Sequence, residues 1–161
     1  MPRPPHWDLN RLRNSEDSAL QEQPQPKSEA SGPPIVFFDG VCGLCNGFVD
    51  FLLRVDQREL LRFATLQGPT AQQLLASTDA GGLNSVVFID GGVVKTRSDA
   101  VAAILRRMDW PWRAAGYGLK ALPALLRDAA YDLVAKNRYR LFGVKAACRI
   151  PSAAERRRFL D

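Results

Sequence analysis

The sequence predicts an α/β fold in which a four-stranded mixed sheet is flanked by helices. Short apolar runs, such as residues 35–38 and 86–89, are each followed by an Asp-Gly turn signal, which is typical of buried strands. Between and after these runs, apolar residues recur at i, i+3, i+4 and i+7, as on the buried face of a helix. Hydrophobic residues make up 46% of the 161-residue chain, which is the range of ordinary globular domains.

Three regions are predicted along the chain. Residues 1–33 are polar and punctuated by proline, and we expect a disordered tail. His6, the only histidine, lies in this tail and is not expected to take part in chemistry. Residues 34–109 are expected to form the folded core, and residues 110–161 a helical extension packed on it.

The predicted elements of the core follow the order strand, helix, strand, helix, strand, strand, helix. They are a strand over 35–38, a helix with its apolar stripe over 48–55, a strand over 60–64, a short helix ending at Leu75, a hairpin of strands 86–89 and 93–95, and a helix with its stripe over 101–108. Thr70 and Gln73 form a predicted capping box that starts the short helix. Ser98 is the predicted N-cap of the last helix.

The extension is predicted to be mostly helical. Trp110-Pro111-Trp112 breaks the chain, and Pro123 kinks or splits the helix that follows. A further helix covers residues 128–139, Gly143 ends this segment, and a second capping box from Ser152 to Glu155 starts a final short helix. The aromatic residues of the extension either cover one face of the sheet or line a cleft for a partner protein or a membrane surface.

Two cysteines, Cys42 and Cys45, stand where the first strand ends and the first helix begins. At that position the free N–H groups and the positive end of the helix dipole stabilise a thiolate. A Cys-x-x-Cys pair at a strand-to-helix turn, in a chain with this element order, is typical of thioredoxin-like redox proteins. The sequence therefore predicts a thioredoxin-like fold with a working dithiol.

The expected chemistry is thiol–disulfide exchange. Cys42 is the predicted nucleophile, and Cys45, one helical turn away, is predicted to resolve the mixed disulfide. The intervening Gly43-Leu44 contains no cation that would lower the pKa of Cys42 as in a strong oxidant. We therefore expect a reduction potential like that of a reductant or a disulfide isomerase. Asp39 either opposes a thiolate on Cys42, accepts the proton of Cys45 during resolution, or simply makes the turn and caps the helix.

Charge and cysteine usage suggest where the protein works. Residues 1–96 carry 8 basic and 11 acidic side chains, whereas residues 97–161 carry 14 and 6, so the second half has a net charge of +8. This half is expected to form solvated helix faces, with at most weak contact to acidic surfaces and no nucleic-acid motif. Three cysteines are too few for a disulfide framework, and neither a secretory signal nor a membrane span is apparent. We therefore expect a cytoplasmic protein.

The Asp39-x-x-Cys42-x-x-Cys45 string resembles the signature of the DCC family of predicted thiol-disulfide oxidoreductases. Further stretches that resemble this family are residues 62–67, 98–100, 137–143, Cys148, Pro151 and 158–160. The resemblance covers residues 34–160 and implies a thioredoxin-like fold and disulfide reductase activity. Thioredoxin-like proteins usually place a cis-proline opposite the cysteines, but residues 83–86 here contain no proline, so substrate docking is expected to differ.

Other functions are also compatible with the sequence. The chain could be a non-catalytic thioredoxin-like module that binds a partner through its basic extension. A structural zinc site needs about four ligands, and one Cys-x-x-Cys pair supplies two. A dehalogenase-type phosphatase is excluded, because Phe37 stands where the nucleophilic aspartate would be. Cys148 is expected to be a buried structural thiol, with a third redox role as the alternative. No cofactor is expected; the predicted partners are a protein or small-molecule disulfide and an unidentified electron donor.

Overall fold

The computed structural model describes residues 32–76, 85–145 and 151–161. Its sheet has the strand order β2-β1-β3-β4, with β1 (Ile35–Phe38), β2 (Arg62–Thr65), β3 (Val87–Asp90) and β4 (Val93–Thr96). Strand β1 runs parallel to β2 and antiparallel to β3, and β3 and β4 form a hairpin. The predicted α/β class with a mixed four-stranded sheet is therefore confirmed, and the arrangement is consistent with a thioredoxin-like fold. The predicted tail up to residue 31 and Cys148 lie outside the described residues.

Five α-helices and one 3-10 turn accompany the sheet in the described ranges. They are α1 (Gly43–Val55), α2 (Pro69–Leu75), α3 (Arg97–Arg107), α4 (Trp112–Ala121), α5 (Ala124–Phe142) and the turn Arg156–Arg158. Pro123 splits the extension into α4 and α5, and Gly143 ends α5 with a φ of 73°. Within the part of the chain that the structure describes, no helix has the length and apolar character needed to cross a membrane.

The two faces of the sheet bury separate clusters of apolar side chains. Because successive strand residues point to opposite faces, Val36 and Phe38 pack on one side of the sheet and Phe37 on the other. The larger cluster lies under α1 and α3 and contains both Cys42 and Cys45. The smaller cluster lies under α2. The cysteine pair is therefore part of the main hydrophobic core.

The start of α2 differs from the predicted capping box. The helix begins at Pro69 after Gly68, without a side-chain cap from Thr70. Instead, the carboxylate of Asp161 accepts the backbone N–H groups of Thr70 at 3.3 Å and Thr65 at 2.8 Å. Burial alone would raise the pKa of Asp161, but hydrogen bonds from Thr70 and Thr65 outweigh it and hold that pKa below its usual value. The prediction was wrong because the capping group comes from the far end of the chain.

The other two predicted caps also differ from the structure. Helix α3 begins at Arg97, with Thr96 as its N-cap, so Ser98 lies inside the helix and its hydroxyl donates to Asp128 of α5. The second capping box is half formed, because the Ser152 N–H donates to Glu155 Oε2 at 2.9 Å. It leads only into the 3-10 turn at Arg156–Arg158.

Removing the Asp161 carboxylate tests the observed cap of α2. Asp161→Ala should lower the free energy of unfolding by about 1 kcal/mol, the usual cost of losing an N-terminal helix cap. Gln73→Ala, which removes the partner in the predicted capping box, should change it by less than about 0.5 kcal/mol, because Gln73 is exposed. Urea denaturation of both variants measures the difference. Equal losses, or a larger loss for Gln73→Ala, would contradict the cap described here.

Ion pairs join the extension to the rest of the chain. Asp99 of α3 accepts Lys120 of α4 at 2.7 Å and Arg127 of α5 at 2.5 Å. Their hydrogen bonds, that of Arg127 first, lower the pKa of Asp99 to about 2. Many other basic residues of the second half are similarly paired; they include Arg97, Arg107, Arg113, Arg138, Arg157 and Arg158. These pairs reduce the positive charge that is available to acidic partners.

The division into a core and an extension stays a prediction.

Several aromatic residues of the extension do not cover the sheet, whereas Phe159 packs against Phe63 of β2. Trp110 is 79% exposed, and Tyr117 and Phe142 are at least half exposed. Trp112 instead packs edge to face on Phe51 of α1, with ring centroids 4.6 Å apart. Trp110, Trp112, Tyr117 and Phe142 therefore do not cover a face of the sheet, which was one of the two predicted roles of the aromatic residues in the extension.

Candidate active site

The cysteine pair lies where the sequence predicts it. Cys42 is the N-cap of α1 with extended backbone angles, and its Sγ accepts the backbone N–H of Cys45 at 3.5 Å. Cys45 lies in the first turn of the same helix. This N–H and the positive end of the helix dipole favour a negative charge on the Cys42 sulfur.

The surroundings of Cys45 favour its protonated form. Burial first, then a hydrogen bond to Cys42 and the negative charge of that sulfur, raise the pKa of Cys45 to about 12. Cys45 is therefore a neutral thiol that donates to Cys42 at physiological pH. The side chain of Cys42 has no exposed surface, and Cys45 is 5% exposed. Both cysteines are therefore buried.

Asp39 sits beside the pair with its carboxylate fully engaged. One oxygen accepts the Val41 backbone N–H and the Gln67 amide, each at 3.1 Å. The other accepts Arg138 Nη2 at 2.9 Å and the hydroxyl of Tyr139. The bond to Val41 is the turn-making contact considered for this residue. The Arg138 cation offsets the repulsion that was expected between Asp39 and a nearby thiolate.

Arg138 and Tyr139 belong to the site through Asp39, although no role was predicted for them from the sequence. Arg138 lies 99 positions from Asp39 in the sequence, and their paired side chains are each 5% exposed. The Arg138 guanidinium also donates to the Tyr139 hydroxyl at 2.7 Å and lies 4.6 Å from the centre of its ring. The hydrogen bond to Asp39 raises the pKa of Tyr139, which keeps the proton that this bond needs. The sequence feature that could have indicated Arg138 and Tyr139 is the stretch 137–143, which resembles the DCC family.

The charge of Arg138 reaches both sulfurs. It lowers the pKa of Cys45 against the larger effect of burial. Burial would also lower the pKa of Arg138 itself, but its contact with Tyr139 and the charges of Cys45 and Cys42 raise it, so the guanidinium stays charged. The cation that the Gly43-Leu44 dipeptide lacks is thus supplied by α5, which packs against α1 and α3.

The backbone of the cysteine loop is held by hydrogen bonds within the chain. The Asn46 amide donates to the carbonyls of Gly40 and Cys42, both at 2.8 Å. The segment after α5 pairs with the loop, since Gly43 N donates to Gly143 O at 3.2 Å and Lys145 N donates to Val41 O at 2.8 Å. A Cβ on Gly43 would lie 2.1 Å from the Phe142 carbonyl oxygen, so this close approach requires glycine.

An apolar cavity of about 160 Å³ opens next to the pair. Its walls come from α1, α3, α5 and the residue before β3. The lining residues are Leu44, Cys45, Phe48, Val86, Val101, Tyr131, Val134, Ala135 and Arg138. The Tyr131 hydroxyl accepts the Val86 backbone N–H at 3.1 Å, and the Val86 carbonyl accepts Arg97 N at 3.2 Å. Burial raises the pKa of Tyr131, which therefore stays protonated. Of the two cysteines, Cys45 lines this cavity and Cys42 does not.

Metal binding was an alternative use of the cysteines. Among residues 32–76, 85–145 and 151–161, no three His, Cys, Asp or Glu side chains are grouped so that they could hold a metal ion. Cys148, the third cysteine, falls outside these ranges, and its predicted structural role stays a prediction.

Comparisons with known proteins identify the family. Residues 36–144, more than half of the chain, match the model of the DCC1-like thiol-disulfide oxidoreductases. The chain is 41% identical over 128 residues to the uncharacterized protein YuxK of Bacillus subtilis, covering 78% of this chain and 93% of that protein. It is 35% identical over 119 residues to a chloroplastic DCC family protein of Arabidopsis thaliana, covering 73% of this chain and 69% of that protein. No solved structure matches the chain. The chain therefore belongs to the DCC1-like thiol-disulfide oxidoreductase family.

Proposed function

We propose that this protein reduces or exchanges disulfides through Cys42 and Cys45, with Cys42 as the nucleophile. The observation that carries the proposal is the hydrogen bond from the Cys45 N–H to Cys42 Sγ at the start of α1. It favours the thiolate on Cys42, while the raised pKa of Cys45 keeps the second sulfur protonated. The family name supports a redox role.

The exchange takes two steps. The Cys42 thiolate attacks one sulfur of the substrate disulfide, forms a mixed disulfide and releases the other substrate sulfur as a thiolate. Cys45 then gives its proton to solvent and attacks Cys42 Sγ, which breaks the mixed disulfide, releases the second substrate thiolate and leaves a Cys42–Cys45 disulfide. The substrate gains two electrons and the protein loses two. A dithiol donor restores the reduced pair by the reverse exchange.

We assign Asp39 and Arg138 to positioning and charge. Asp39 ties Arg138 to the loop that carries Cys42, and Arg138 places a cation within electrostatic reach of both sulfurs. That cation stabilises whichever sulfur is the thiolate at each step, including Cys45 when it resolves the mixed disulfide. Both oxygens of Asp39 already accept hydrogen bonds, which argues for positioning rather than for accepting the Cys45 proton.

Exposure alone would favour the other sulfur as the attacking one. Cys45 lines the cavity, whereas Cys42 is covered. Because both are buried, attack by either requires a local movement, and the charge state then decides which sulfur is nucleophilic. The proposed setting is a reducing compartment such as the cytoplasm, with a disulfide substrate and a dithiol electron donor.

A redox titration of the full chain tests the proposal. We expect a two-electron couple at Cys42–Cys45 with a potential between about −270 and −180 mV, the range of reductants and isomerases. Mass mapping of the oxidised protein should place the disulfide between these two residues. Catalysed reduction of a disulfide by dithiothreitol should accompany it. No Cys42–Cys45 couple, or no catalysis at any potential, would overturn the proposal.

A binding module is the second candidate, and one observation favours it. Helix α5 buries Arg127 and Arg138 but leaves Leu125, Leu133 and Leu141 exposed, the reverse of the usual helix in a globular domain. Exposed apolar side chains of this kind are typical of interaction surfaces. The titration separates the two functions, since a binding module needs no reversible couple.

A further inference from the structure

The main chain around Cys42 and Cys45 is occupied by contacts within the protein. Gly40 N, Val41 N, Cys42 N and Gly43 N all donate inside the chain, and the carbonyls of Gly40, Val41 and Cys42 all accept there. An extended peptide that binds as an added strand needs free N–H and C=O groups of this kind. The loop therefore offers no main-chain partners to a peptide substrate.

Val86, which precedes β3 and lines the cavity together with Cys45, is hydrogen-bonded within the chain in the same way. The Val86 N–H donates to the Tyr131 hydroxyl, and the Val86 carbonyl accepts from Arg97 N. The Tyr131 hydroxyl thus accepts the Val86 N–H, which is therefore not free to donate to a bound peptide. Among the described residues, the main chain at residues 40–43 and at Val86 is therefore already hydrogen-bonded within the protein and is not free for strand pairing.

The cavity next to Cys45 offers a different kind of recognition. Its lining is almost wholly apolar, and its volume of about 160 Å³ is close to that of a protein cavity that holds benzene. Val134, at its mouth, is 43% exposed, so the cavity is open to solvent there. Because Cys45 and Val134 both line this cavity, a benzene-sized apolar group held there shares the space next to the Cys45 side chain.

We propose that the substrate is a compact disulfide with an apolar, ring-sized group, which this cavity holds beside Cys45, and that it is not an extended peptide. The proposal rests on the proposed function and narrows its substrate class. Cys42 is covered and does not line the cavity, so its attack on the sulfur held beside Cys45 requires the local movement described above. The bound disulfide then gains two electrons, the Cys42–Cys45 pair is oxidised, and dithiothreitol restores it in the assay.

Three disulfides of different character test the substrate class: dipyridyl disulfide, oxidised glutathione and insulin. Each catalysed kcat/KM is divided by the rate constant of dithiothreitol with the same disulfide, which removes differences in intrinsic reactivity. The normalised value for dipyridyl disulfide should exceed those for the other two by about tenfold or more, the size of effect expected from one well-filled apolar pocket. Equal values, or a preference for insulin, would overturn the proposal.

Two adjacent residues of α5 provide a matched pair of variants. Val134→Phe fills the mouth of the cavity and should lower the normalised kcat/KM for dipyridyl disulfide by about tenfold or more. Leu133→Phe makes a similar change on the same helix at a residue that is 65% exposed and does not line the cavity, and it should stay within about twofold. Equal effects of the two substitutions, or no effect of Val134→Phe, would overturn the proposal.

Binding of thioanisole, a ring-sized thioether that cannot be reduced, separates this inference from the proposed function. In the reduced full chain it should shift the NMR signals of Leu44, Val86 and Ala135, and Val134→Phe should abolish these shifts. Absence of binding to a protein that does reduce disulfides overturns the substrate class alone. Absence of all disulfide reduction overturns the proposed function, whatever thioanisole does.

Discussion

Replacing Cys42 with serine should abolish disulfide reduction, with a loss of at least about a thousandfold in kcat/KM, as is usual when a nucleophile is removed. Serine keeps the size of the side chain and can accept the Cys45 N–H, so the start of α1 should remain formed. A serine hydroxyl cannot form the mixed disulfide, however, and exchange stops before its first step. The measurement is reduction of a disulfide by dithiothreitol at a range of enzyme concentrations.

Cys45→Ser provides the matched variant for this test. It should also lose turnover, but it should accumulate a mixed disulfide on Cys42, because the first step is intact and the resolving sulfur is absent. Intact-mass analysis after mixing with an excess of disulfide detects the adduct. An adduct in Cys42→Ser and none in Cys45→Ser would reverse the roles assigned here, which is the result that the greater exposure of Cys45 would favour.

Replacing Arg138 with methionine should destabilise the protein by about 3–5 kcal/mol, the cost of leaving one partner of a buried ion pair without its counter-charge. Arg138 and Asp39 are both almost fully buried, and Arg138 also bonds to Tyr139, so the carboxylate would lose its cation. Arg140→Met, two residues along and on the exposed side of α5, should change stability by less than about 0.5 kcal/mol. Chemical denaturation of both variants measures the contrast.

Stability alone does not test whether Arg138 acts on the sulfurs. A double variant, Arg138→Met with Asp39→Asn, removes both charges and should recover part of the lost stability. If the cation stabilises the thiolates, the double variant should still show a shifted redox potential and a displaced pH profile of thiolate formation. Arg138→Lys keeps the charge and should restore both readouts more than Met does. An unchanged potential and pH profile in the double variant would limit Arg138 to a structural role.

Much of the fold follows from local features of the sequence. Strand β1 comes from the consecutive apolar residues Ile35–Phe38, and the two ends of α5 come from Pro123 and Gly143. Prolines, glycines and the apolar period act within a few residues, so they can be interpreted without knowing the rest of the structure. The caps predicted at Thr70 and Ser98 were wrong because their competitors, Asp161 and Asp128, approach from distant parts of the chain.

The sequence by itself determined the element order and the placement of Cys42 and Cys45 at the start of a helix, because both depend on neighbouring residues. Only the tertiary structure decided the surroundings of these sulfurs. In the folded chain, Arg138 pairs with Asp39 and Cys42 is buried. The Val86 N–H donates to the Tyr131 hydroxyl, and a cavity lies beside Cys45. The physical reason is that these features arise where α5 packs against α1 and α3, and such packing joins residues far apart in sequence whose pairing no local pattern specifies.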